Sequence, residues 1–165
     1  MKREKSADQT SIGDLCTFTR QFNSKADAIV SVDSFEHFDD PGQILDTMAD
    51  MLVPNGVVWI SFRPPWYHPH GGHLFSVFPW AHLIFTEIAL IRWRSDFKTD
   101  QAKRFGEVEG GLNQMTIKRF KQLIDSSQFR FDFLEKKPIR RLRFFSNPIT
   151  REFVTSIVRC RLILR

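Results

Sequence analysis

The sequence predicts an α/β fold, a parallel sheet flanked by helices, and three observations carry that reading. Residues 26–32 (ADAIVSV) and 57–62 (VVWISF) are short apolar, β-branched runs with little polar alternation, the pattern of strands covered on both faces. Between them Ile44, Leu45, Met48, Met51 and Leu52 recur at helical spacing and make one apolar stripe. Strand, helix and strand within about 35 residues form a βαβ unit, whose strands lie parallel.

The other elements follow in order. The first dozen residues are polar and unpatterned and are expected to fray, so the organised domain is placed at 13–165. Asp39-Asp40-Pro41 is a helix start, with Asp40 as N-cap and Pro41 at the first helical position, where a missing N–H costs nothing. Pro54-Asn55-Gly56 stops that helix and turns the chain into the second strand. The loop RPPWYHPHGGH at 63–73 then leaves the carboxyl end of a parallel strand, where open α/β sheets bind ligands. A covered helix is expected from Pro79 to about Arg94, and the polar, glycine-bearing stretch 95–115 reads as an excursion or lid. Thr116 can cap a helix carrying Ile117, Phe120, Leu123 and Ile124. Phe129, Phe131 and Phe133 alternate and are expected on one core face, and Val154–Leu164 is another β-branched run. These last two segments are expected to close the sheet as antiparallel strands.

The 165 residues with 42 % apolar content suffice for one cored domain, which excludes a disordered tail and a disulfide-held mini-protein. Cys16 and Cys160 lie at opposite ends in unlike contexts, and the start MKREKSADQT lacks the apolar stretch of a secretory signal, so a cytoplasmic thiol protein is expected. Leu74–Ile91 is apolar but interrupted by Ser76, Pro79, His82, Thr86 and Glu87, which excludes a transmembrane segment. Charge is divided: residues 1–90 hold 6 Lys/Arg against 11 Asp/Glu, and residues 91–165 hold 18 against 8.

The segments GDL at 13–15, ADAIVSVDSFEHFDDP at 26–41, LVPNG at 52–56 and VVWISF at 57–62, followed by MTIKRFKQLIDSSQFRFDFLEKKPIR at 115–140, resemble a class I S-adenosylmethionine-dependent methyltransferase of the small-molecule (type 11) kind. The resemblance implies a Rossmann-like methyltransferase sheet with flanking helices and S-adenosylmethionine as cofactor. It also implies the roles of particular residues. Asp14 and Leu15 match the positions that hold the adenine edge, and Ser31, Val32 and Asp33 match the strand end beneath the methionine part. Glu36 and His37 match the Glu-His pair near the transferable methyl. His37 is then the first candidate base and His73 the second, with Glu36, Trp66, Tyr67, His68 and His70 as substrate contacts. The chain contains no Gly-x-Gly, and nothing before Gly13 reads as a strand. Against the family, this implies a domain lacking its first strands, weak or inactive alone, with an unpaired apolar edge that a complementing N-terminal polypeptide would cover.

Plainer readings stand beside these. His68, His70 and His73 have the spacing H-x-H-x2-H, but no Cys or acid lies near to complete a tetrahedral site, so no metal is expected. The basic run from Lys136 to Phe145, with Arg151, Arg159, Arg161 and Arg165, reads as a solvated strand edge. The alternative function is a non-catalytic interaction protein that binds nucleic acid or an acidic partner through this half.

Overall fold

A computed structural model describes residues 25–99, 101–108 and 111–165. Among the described residues four strands form one sheet: β1 (Ala26–Val32), β2 (Leu52–Phe62), β3 (Phe129–Pro138) and β4 (Thr155–Leu164), in the order β1-β2-β4-β3. β1 and β2 pair in parallel, Val30 beside Trp59 and Val32 beside Ser61, as the βαβ pattern requires. β4 inserts between β2 and β3 and runs antiparallel to both, so the closing strands are antiparallel as expected.

Helix α1 (Pro41–Met51) links β1 to β2, and the Asp40 carboxylate accepts from the N–H groups of Gly42 and Gln43, each at 3.0 Å. This satisfies two donors that the first turn leaves orphaned. Helices α2 (Ala81–Ile84) and α3 (Glu87–Ser95) follow the loop after β2, and α4 (Ile117–Ser126) precedes β3. The Thr116 hydroxyl caps α4 by accepting from Arg119 N–H at 3.0 Å. Glu152, on the short α5 (Arg151–Val154), adds its carboxylate to the Ile117 and Lys118 N–H groups. Leu45 and Met48 of α1 and Ile117, Phe120 and Ile124 of α4 pack with Val58, Ile60 and Phe62 of β2 and Val158, Cys160 and Leu162 of β4. One sheet face therefore carries the main core. The Cys160 thiol lies inside it, and burial pushes its pKa up to about 12.

Several expectations are corrected. β1 is not covered on both faces: Val30 is 65 % and Val32 60 % exposed, and Trp59 and Phe133 share their open side. The sequence pattern reports apolarity alone, whereas both long core helices lie on the opposite face. β2 begins at Leu52, ahead of the 54–56 turn, because Leu52 still pairs with Ala26 before the register shifts and Asn55 takes a φ of 67°. The helix expected over 79–94 is broken. Phe85 and Thr86 are extended, the Thr86 hydroxyl caps a fresh helix through Ala89 N–H, and Ile84, Phe85 and Ile88 stand exposed. Phe133 leaves the face of Phe129 because a β-bulge falls between Phe131 and Phe133, and one extra residue reverses a strand's alternation. The 95–115 segment is no free excursion in its described parts. Phe105 and Leu112 pack with Trp66, Phe75 and Leu90 in a second core, and Met115 joins the first. Among the described residues no helix is long and apolar enough to cross a membrane.

Candidate functional site

The carboxyl ends of β1 and β2 are tied together, and the candidate site grows from that tie. Asp33 turns the chain out of β1 with a φ of 49°, its N–H donating to Ser61 O at 2.8 Å and its carboxylate accepting from Arg63 Nε at 2.8 Å. A one-turn 3-10 helix, Phe35–His37, follows at once. Phe35 anchors it in the core against Phe38, Phe62 and Phe120, with ring centroids 5.7, 6.4 and 5.2 Å away. That anchor places Glu36 inside the protein, where it is 2 % exposed and one carboxylate oxygen accepts from Arg63 N–H at 3.2 Å. The second oxygen, Oε2, is buried without a hydrogen-bond partner.

His37 is held from the far side by the segment after residue 110. Its Nδ1 lies 2.9 Å from Gly111 O, and because a carbonyl only accepts, Nδ1 carries a hydrogen, which in the neutral ring puts the lone pair on Nε2. Gly111 has a φ of 61°, and a Cβ there would sit 3.0 Å from His37 O, so glycine allows this approach. Asn113 clamps the same turn: its Nδ2 donates to Phe35 O at 2.9 Å and Phe38 O at 2.8 Å, and its N–H donates to Glu36 O at 3.0 Å.

The loop after β2 supplies the third member. His73 starts a second 3-10 turn, His73–Phe75, with a φ of 49°, and its ring meets that of His37 edge to face at 5.2 Å. Its Nε2 is buried and unpartnered. The donor atoms of Glu36, His37 and His73 lie within 4.8 Å of one another. Burial raises the Glu36 carboxyl above its ordinary range, against the opposing pull of backbone N–H groups and His37. Burial also lowers His73 to about 4, with His37 and His82 adding to the shift, so the imidazole is neutral at physiological pH.

The structure thus gathers Glu36, His37 and His73 and leaves other candidates apart. Trp66 is 9 % exposed and packs edge to face on His82 and Phe105, as core mass instead of a pocket wall. Tyr67 lies against Phe153 at 5.3 Å. His68 accepts from His70 N–H at 3.0 Å, their rings being 5.9 Å apart, and burial beside His70 and His82 lowers His68 to about 4. Ser31 is buried with its hydroxyl unpartnered, and Val32 is exposed at the strand end. Asp14 and Leu15 lie outside the described residues. Sequence reasoning missed Gly111 and Asn113, whose only signal is the Gly-Gly-Leu-Asn string in a polar stretch. It also missed His82, which bridges Trp66 O at 2.6 Å and Ser76 Oγ at 3.1 Å.

The family model described as a methyltransferase domain matches residues 2–60. Among solved structures, PKMT2 from Rickettsia typhi resembles the chain with a TM-score of 0.44 and 13 % identity. That likeness covers 87 % of this chain and 36 % of that one, so the chain spans about a third of that structure's length. No curated protein matches the chain.

Proposed function

We propose, for a chain whose residues 2–60 match the model of the methyltransferase-domain family, that it serves methyl transfer from S-adenosylmethionine to a small-molecule acceptor at the carboxyl ends of β1 and β2. The observation carrying this reading is the convergence of Glu36, His37 and His73 there, next to the strand whose segment the family match contains. The buried, unpartnered Ser31 hydroxyl fits a polar atom of a bound cofactor, and Ser31, Val32 and Asp33 are the described residues that would hold it. By the resemblance, Asp14 and Leu15 would take the adenine. When bound, S-adenosylmethionine supplies an activated methyl group on a sulfonium centre.

The chain's part is positioning and proton handling. With Nδ1–H fixed by Gly111, His37 offers Nε2 to the proton of a neutral acceptor, and His73 offers a second neutral imidazole beside it. Glu36 would orient the acceptor's donor group through Oε2. His68, His70 and Tyr67 would meet the acceptor from the loop, with Trp66 supporting that loop from within. The open apolar side of the sheet, bearing Val30, Val32, Trp59 and Phe133, is where a complementing N-terminal polypeptide would dock.

The reading is tested by titrating the full chain calorimetrically with S-adenosylhomocysteine. Saturable binding is expected, weakened about tenfold by Asp14→Ala, the loss of about one charge-assisted hydrogen bond. Absence of binding up to millimolar ligand, or binding that Asp14→Ala leaves unchanged, would contradict it.

A further inference from the structure

The same three side chains have the chemistry of a ligand set, a use of the imidazole lone pairs that replaces the role of free base whenever an ion is bound. We infer that Glu36 Oε2, His37 Nε2 and His73 Nε2 bind a divalent transition ion of the zinc class, leaving a fourth position for an oxygen ligand. Two imidazoles and a carboxylate with an open position are the donor set of catalytic zinc sites, and the same set suits other first-row divalent ions.

Three observations carry the inference. Glu36 Oε2 and His73 Nε2 are both buried and both lack a hydrogen-bond partner, on a glutamate that is 2 % exposed. A buried polar atom without a partner costs about 1–3 kcal/mol, and a cation shared between two such neighbouring residues would satisfy both. Second, the Nδ1–H of His37 is engaged by Gly111 O, the outer contact that fixes a ligating imidazole and aims its other nitrogen inward. Third, bonds of about 2.0–2.2 Å to a tetrahedral centre set donors about 3.4 Å apart. The donor atoms now lie within 4.8 Å of one another, within about 1.4 Å of that separation.

Asn113 and Arg63 hold the turn that carries Glu36 and His37, so two of the three donors are placed before an ion enters. An oxygen in the fourth position would be polarised by the ion, and in the proposed methyl transfer that oxygen would belong to the acceptor. Metal binding itself does not rest on that reading, because it requires neither cofactor nor acceptor.

The experiment is titration of the full chain with Co2+, followed by visible d–d absorption, and with Zn2+, followed by calorimetry. One ion per chain is expected, with the intense visible bands of low-coordinate cobalt. His73→Ala, His37→Ala and Glu36→Gln should each weaken binding about tenfold or more, while His70→Ala should leave it unchanged. Thermal melts show which variants fold, and if Glu36→Gln does not, the two histidine variants decide. Equal binding by folded His73→Ala and the parent chain would overturn the site, as would loss that follows His70→Ala, which would place the ion on the His68–His70 pair. Failure of S-adenosylhomocysteine binding with cobalt bound would count against the methyl-transfer reading alone.

Discussion

Gly71→Ala is expected to lower the melting temperature by about 10 °C or more, a loss of about 3–5 kcal/mol at about 2–4 °C per kcal/mol for a chain of this size. A Cβ at Gly71 would fall 2.0 Å from Trp66 O, 2.5 Å from Trp66 C and 2.6 Å from Pro65 O. These are backbone atoms, so no side-chain rotation relieves the clash. The Trp66 carbonyl is itself held at 2.6 Å by His82 Nε2, and Trp66 N–H donates to Met115 O at 2.8 Å. Making room therefore breaks a buried hydrogen bond and shifts Trp66 within the second core. The disturbance reaches His73, two residues on, so the approach of the His73 and His37 rings would be lost with it. Differential scanning calorimetry of the purified variant measures the effect, and a melt within about 2 °C of the parent would contradict this placement of the loop.

Phe35→Ala is expected to cost about 3–5 kcal/mol, the range for emptying a large buried aromatic site. Phe35 is fully buried among three phenyl rings, and the residues after it, Glu36 and His37, owe their position to that anchor. Phe35→Leu keeps most of the volume and should cost about 1–2 kcal/mol. Urea unfolding of both variants separates the outcomes. Equal losses for Ala and Leu would show that volume at this site is not what holds the turn.

Much of this was legible in the sequence where one local signal sufficed. Asp40-Pro41 and Thr116 fixed two helix starts because a cap depends on three or four adjacent residues. The parallel pairing of β1 with β2 followed from a short βαβ unit. Long-range facts were not legible. Apolar strands carry no mark of which face helices will cover, so the exposure of Val30 and Val32 was unforeseen. A bulge leaves no trace in alternation, so Phe133 was assigned to the wrong face.

The site divides in the same way. Glu36 and His37 stood out as neighbours, but His73 was grouped with His68 and His70 because sequence spacing was the only guide. The fold instead brings His73 to Glu36, a residue 37 positions away, and leaves His68 and His70 hydrogen-bonded to each other. The pairing of Glu36 with His73 is not legible because the two residues lie on opposite sides of β2 in the sequence.

The proposed methyl transfer requires the donor cofactor at the carboxyl end of β1, beside Glu36, His37 and His73. The most direct measurement is site-resolved: backbone amide shifts of the full chain, followed by two-dimensional NMR, as S-adenosylhomocysteine is added. Saturable shifts are expected, centred on Ser31, Val32 and Asp33 and spreading to Glu36, His37 and His73, with the β3 segment from Lys136 to Pro138 unmoved. Shifts centred on the basic C-terminal half, or no shifts at millimolar ligand, would contradict it.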